Sequence, residues 1–365
     1  MADMADMTSP DAVAGRIVEE LGVTLATVTI AVGVRSGLWA ALAGAGPLGP
    51  DELAERTGVA PVLAREWCRT QVAGGYLQLA GDPDEGERYV LPDEVAAVLV
   101  HGPIGGLVDA AMTMMAATGQ RFDEFTAAFA AGRGFGWAER ADGHAHGVDM
   151  FTRAALAPGF LAAAVRACEP GVAAALEAGG ALLDVGCGYG APTLTLAEEF
   201  PAAAVTGCDF HDASIVAARK AAAEAGLAQR VRFEVATATQ APSVTGGYAL
   251  VVFVDSLHDL GDPAGALARS RELLAPGGAV LLVEPRAADR LVDNLNPVGR
   301  MFYAVSTMFC TPTAVAQGGP EGGADPLGTL AGPAALTRVA AQAGLSRARE
   351  VPVEAPFNLV LELRP

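Results

Sequence analysis

The sequence predicts an α/β chain in two parts: a mostly helical N-terminal region, then a mainly parallel sheet of seven strands with helices on both faces. Three observations point there. From Ala181 onward, short apolar runs alternate with stretches of helical periodicity; the first run leads straight into the glycine-rich turn "GCGYG"; and upstream of Ala181 the apolar residues recur at helical spacing. At 365 residues, 52% of them hydrophobic, the chain is long for one core and apolar enough for two. The expected division is residues 1–100, a helical connecting region 101–179, and 180–365.

The N-terminal part reads as helix from about Asp11 to Leu42, with apolar residues at Ile17, Leu21, Leu25, Val28 and Val32. After the turn "GAGPLGP" comes a helix, a tight turn at Gly58, and a second helix from about Pro61 to Ala73. A strand pair follows, Tyr76–Leu79 and Arg88–Leu91, around the charged loop "GDPDEGE". Together these make a winged helix-turn-helix. To read DNA, its second helix must neutralise phosphates and reach base edges. Here Arg65 and Arg69 flank Glu66, and acids outnumber basic residues over 51–90. Dimerisation and cover for a substrate pocket are the expected uses.

The region 101–179 contains the methionine-rich "DAAMTMMAATG", whose Met112, Met114 and Met115 suit core packing or a pocket lining. His144 and His146 in "ADGHAHG" read as solvated loop residues. The strands beyond are "ALLDVG", "AVTGCD", "VRFEVA", "YALVVFVDS" and "AVLLVEP", with helices near Pro192–Glu199, Ala213–Ala225 and Pro263–Leu274. A further helix, "PAALTRVAAQAG", precedes a closing antiparallel pair, "SRAREVPVE" and "FNLVLELRP".

"LLDVGCGYG" sets Asp184 in a buried strand and Gly186, Gly188 and Gly190 directly after it, where glycine permits positive φ and close approach of a ligand to the backbone. The spacing G-x-G-x-G differs from the G-x-G-x-x-G of dinucleotide binders, which disfavours an NAD-dependent oxidoreductase. Asp209 ends the second strand, where a carboxylate can accept hydrogen bonds from ribose hydroxyls. These residues, with "LLAPGGAVLLVEP", make the chain resemble the class I S-adenosylmethionine-dependent methyltransferases, and the N-terminal region resembles the winged-helix dimerisation domain of small-molecule members.

The resemblance implies a Rossmann-like seven-stranded domain, S-adenosylmethionine as cofactor and a homodimer. It places Gly186, Gly188 and Gly190 against the methionine part, Asp209 on the ribose and Phe210 beside the adenine. Thr237 and Ala238 stand where relatives carry an aspartate near the adenine amino group, and Arg153 where relatives reach the methionine carboxylate. The residues after strand five, Met301 to Phe309, correspond to a substrate wall, which implies an apolar or aromatic acceptor. The glycine-rich "AQGGPEGGADPLGT" reads as a lid loop.

In an open parallel sheet, ligands bind beyond the carboxyl ends of the strands, where Asp255, Ser256 and His258 emerge. Asp262–Pro263 has the form of an N-cap and first helical residue, so His258 lies in the preceding loop. By resemblance His258 is the general base for a phenol or other hydroxyl, with Asp259 or Glu284 orienting it. A phenol ionises near pH 10 and histidine near 6.5, so a neutral imidazole assists by taking the proton as transfer proceeds.

A net charge of −18 repels polyanions and disfavours nucleic acid as a partner. The five cysteines show no CxxC spacing, so neither a disulfide framework nor a metal site is expected, and a reducing cytoplasm fits. The acidic N-terminus lacks the form of a signal peptide, and the apolar run Leu21–Val34 is too short for a membrane span. The expected activity is O-methylation of a small aromatic or polyketide-like metabolite. N- or C-methylation, a non-methylating reaction on the same fold, and a ligand-sensing winged-helix regulator are the alternatives.

Overall fold

The computed structural model describes residues 9–81, 86–318, 326–355 and 357–365. The wing tip (82–85) and most of the expected lid (319–325) lie outside the described residues. The chain divides into two compact units, Met1–Ala116 and Ala117–Pro365, a division that falls inside the helical connecting region.

The first unit opens with α1 (Pro10–Arg35), capped by Ser9, whose Oγ accepts from the Ala12 amide. Then come α2 (Leu38–Leu42), α3 (Pro50–Thr57), α4 (Pro61–Ala73), the antiparallel strands β1 (Gln78–Ala80) and β2 (Arg88–Val90), α5 (Asp93–Leu99) and α6 (Ile104–Gly119). The turn between α3 and α4 is made by Gly58 at φ 76. The core is aromatic. Trp39 and Trp67 meet edge to face at 4.7 Å, and each indole N–H donates back to α1, to the carbonyls of Ile30 and Thr29. Gly33 lets α1 pass against both rings: a Cβ there would lie 2.4 Å from Trp67.

On the second helix of the helix-turn-helix, Arg69 pairs with Glu66 and Glu87, so its charge is consumed within the protein. The expectation that no segment is long enough to cross a membrane is corrected. Helix α1 continues N-terminally of the apolar run, and by length and composition alone it could span. Ile17, Val18, Leu21, Val23, Leu25, Val28 and Val32 of this helix are exposed.

In the second unit, α7 (Phe122–Ala130), α8 (His144–Ala155), α9 (Phe160–Arg166) and α10 (Val172–Glu177) lead into a seven-stranded sheet. Its strands are β3 (Ala181–Val185), β4 (Ala204–Asp209), β5 (Val231–Val235), β6 (Tyr248–Val254), β7 (Leu274–Pro285), β8 (Arg347–Glu350) and β9 (Asn358–Arg364). They lie in the order β5-β4-β3-β6-β7-β9-β8; the first five are parallel, and β9 pairs antiparallel with β7 and β8. Helices α11 (Ala191–Glu199), α12 (Asp212–Glu224), α13 (Pro263–Leu273) and α16 (Gly332–Gln342) pack on the faces. Because successive strand residues point to opposite faces, Leu182 and Val252 join one core while Leu183 and Val251 join the other. Burial on both faces explains why these strands are continuously apolar.

Between β7 and α16 lie α14 (Pro297–Val305), a π-helical turn (Ser306–Cys310) and α15 (Thr311–Gly318). The turn is anchored by buried Arg140, whose guanidinium donates to the carbonyls of Phe135, Met308 and Phe309 and to Thr313. Burial lowers its pKa to about 10.

Candidate active site

The strand order reverses at β3, between β4 and β6, and an open cleft lies beyond the carboxyl ends of these strands. Its floor is the glycine turn. Gly186 and Gly188 adopt φ 75 and 52, and a Cβ on Gly186 would lie 2.7 Å from the Ser256 Cβ. Ser256 is itself fixed by donating to the Val185 carbonyl at 2.8 Å. Asp209, closing β4, accepts from the amides of Gly188 (3.0 Å) and His211 (2.9 Å), which ties the glycine turn to the end of the neighbouring strand. Burial raises its pKa while these amides oppose the shift. Beside it Phe210 is exposed into the cleft.

Asp255, directly after β6, has φ 47, the only described non-glycine residue at positive φ. Asn358 of β9 donates to its carboxylate at 2.9 Å; burial, with the nearby Glu284, pushes the acid up to about 7. Strain of this kind collects where function requires it.

Eight of the expected residues, Gly186, Gly188, Asp209, Phe210, Ala238, Asp255, Ser256 and Asp259, line the cleft. Others do not. Asp184 is buried inside β3 and accepts from the Thr193 hydroxyl at 2.5 Å, so it ties α11 to the sheet; burial pushes it up to about 7. Gly190 packs under Phe233, which a Cβ would approach to 2.7 Å. Thr237 turns its hydroxyl to Thr239, and Arg153 is exposed and paired with Asp149. Of the methionines read as core packing or pocket lining, Met114 is buried within the first unit.

His258 also departs from expectation. It sits in a 3-10 turn (Leu257–Asp259), buried behind the wall that Asp259 contributes to. Its Nδ1 is 2.5 Å from Glu284 Oε2, and the other Glu284 oxygen accepts from the Leu257 amide. Nε2 is 3.3 Å from Asp259 Oδ1. Burial alone would depress the imidazole, but the two carboxylates outweigh it and hold its pKa above the ordinary value. Glu284 thus steadies the histidine and lies away from the cleft.

Several lining residues carried no sequence signal. Trp137, Tyr189 and His211 add aromatic surface, and Asp149 and Gln317 add polar groups. His144, expected in solvent, is 2% exposed between Trp137 and Phe309, each ring centroid 5.2 Å away. Burial, with the Arg140 charge, depresses it to about 3.

The lining has one sign of charge. Asp149, Asp209, Asp255 and Asp259 face the cleft, and no lysine or arginine is among its described lining residues. A pyrophosphate cofactor would find no countercharge there; a sulfonium nucleoside, cationic at sulfur and at its amino group, would find several. Strand order, glycine turn, ribose-side acid and aromatic flank all fit that group. Residues 182–278 are a methyltransferase domain, carried on the seven-stranded fold.

Comparison with known proteins agrees. Residues 182–278 match the methyltransferase domain family, and residues 24–101 match the Rv2258c-like winged HTH domain. The methyltransferase domain is similar to 27-O-demethylrifamycin SV methyltransferase of Amycolatopsis mediterranei, 29% identical over 139 residues, covering 36% of this chain and 51% of that protein. The chain thus spans about half the length of the curated relatives it matches. Among solved structures, human N-acetylserotonin methyltransferase in complex with S-adenosylmethionine superposes with a TM-score of 0.67 at 16% identity, covering 98% of this chain and 99% of that one. The mitomycin 7-O-methyltransferase gives 0.65 at 17%, covering 97% and 98%. These two structures share the fold.

Proposed function

We propose that the protein transfers a methyl group from S-adenosylmethionine to an oxygen of a small aromatic or polyketide-like acceptor, working as a homodimer in a reducing cytoplasm. The observation that carries this reading is the acid-lined cleft at the strand-order reversal. The relatives named for rifamycin, mitomycin and N-acetylserotonin methylation support the acceptor class. The exposed apolar face of α1 supports self-association, and five unpaired cysteines fit a reducing compartment.

The cofactor supplies an electrophilic methyl on positively charged sulfur. The chain supplies position and proton handling. The backbone at Gly186 and Gly188 leaves room for the methionine part, Asp209 meets the ribose, and Phe210 flanks the adenine. Glu284 holds Nδ1 of His258, which leaves Nε2 as the proton-exchanging nitrogen. Asp259, both on the cleft wall and 3.3 Å from Nε2, connects the acceptor to that nitrogen. The acceptor proton passes toward Nε2 as the new oxygen–carbon bond forms. Pre-organisation of this kind is the main lever available to an in-line displacement.

The test is incubation with labelled cofactor and a panel of phenols, enols, amines and carbon acids. Labelled product from the hydroxylated acceptors is expected; transfer to amines or carbon acids alone would refute the oxygen assignment. His258→Ala should lower turnover by about 10²–10⁴ while cofactor affinity holds. Asp209→Ala should weaken cofactor binding first, read by calorimetry. Unchanged turnover in His258→Ala would remove the base from the mechanism.

A further inference from the structure

The segment leading into α8 meets the loops at the strand ends through two pairs of rings. Trp137, which opens a short 3-10 turn (Trp137–Glu139), faces His211 of the turn after β4, with ring centroids 6.1 Å apart and planes 32° from parallel. His146 of α8 faces Tyr189 of the glycine turn in nearly the same way, at 6.3 Å and 33°. Both spacings lie within the range of aromatic contact. Ala145, Val148 and Asp149 of α8 share the cleft lining with Gly186, Gly188 and Asp209, so a ligand on the glycine turn also lies against this helix.

Each ring has its own support. The buried His144 ring packs against Trp137 at 5.2 Å and in turn against Phe309 at 5.2 Å. The turn that carries Trp137 is closed by Glu139, which accepts from the Gly136 amide at 2.9 Å and pairs with Arg133. His211 Nδ1 is 2.8 Å from the Ser214 hydroxyl, and the His211 amide donates to Asp209, the ribose-side acid. Tyr189 stands between Gly188 and Gly190. One ring of each pair therefore belongs to a loop that would hold the nucleoside, and the other to a single separate segment, 137–146.

We propose that Trp137 and His146 are cofactor-retaining residues: paired with His211 and Tyr189, they clasp the segment 137–146 across the bound nucleoside and slow its release. The inference rests on the sulfonium nucleoside occupying this cleft. Parting of the ring pairs widens the exit, and loss of one pair corresponds to about 2–10-fold faster escape. The pairs stand on separate loops and share no ring, so their effects multiply.

The test follows S-adenosylhomocysteine binding to the full chain by tryptophan emission in solution and by surface plasmon resonance. Of the three tryptophans, Trp39 and Trp67 are buried in the first unit, so Trp137 alone reports from the cleft. Binding should change the emission, and Trp137→Phe should abolish that change while still binding. His146 is exposed; His146→Ala should raise the dissociation rate about 2–10-fold with association unchanged. Trp137→Ala should do the same, and the double variant should give the product of the two. Should Trp137→Ala misfold, the emission change and His146→Ala carry the test. Binding that leaves the emission unchanged, wild-type dissociation in His146→Ala, or an affinity loss carried by slower association alone would each overturn the clasp and leave the cofactor reading standing. Absence of any binding by calorimetry would overturn both.

Discussion

Single residues decide how the protein responds to acid. His144 is buried as a neutral ring, its pKa depressed from 6.5 to about 3. The unfolded chain therefore binds a proton below pH 6.5 that the folded chain refuses. The stability contribution is fully present above pH 6.5 and is lost progressively as pH falls toward 3, by up to about 1.4 kcal/mol per unit. His144→Phe, a ring that still fills the space between Trp137 and Phe309, should flatten urea-melt stability between pH 6.5 and 5 by about one proton. An unchanged slope would place the acid sensitivity elsewhere. Sequence could not locate this ring, because "ADGHAHG" has loop composition and the partners that enclose it are far along the chain.

Elements were more legible, because each carries its own periodicity and punctuation. The parallel strands announced themselves as buried runs, and the glycine turn as three glycines after the first. Asp209, Asp255 and Ser256 followed from a rule about strand ends, and all three line the cleft. What the rule could not supply is side-chain direction: Asp184 and Glu284 lie near the carboxyl ends of β3 and β7 yet serve α11 and His258. Two glycines test the packing of elements. Gly33→Ala should destabilise the N-terminal unit by about 1–3 kcal/mol, since the new methyl meets both indoles. Gly186→Ala should weaken cofactor binding beyond that cost, because strain at φ 75 and collision with Ser256 both distort the cleft floor. Denaturant melts and calorimetry separate the two effects; a Gly33→Ala protein as stable as wild type would mean the rings yield freely.

For the whole molecule, the open question posed by α1 is what covers it. Eight large aliphatic side chains on one helix, Val13 among them, lie exposed within a single chain, more than scattered surface residues explain. A second copy covering this face predicts that Leu21→Glu with Leu25→Glu yields a folded monomer by analytical ultracentrifugation, where the wild type sediments as a dimer. A wild-type monomer would refute self-association. The acidity of the cleft reaches further, into the rhythm of turnover. In the proposed reaction the sulfur is neutral once the methyl has left, and the carboxylates that face the incoming nucleoside then attract it less. A wall built to attract the charged donor is thereby also a device for letting the spent one go.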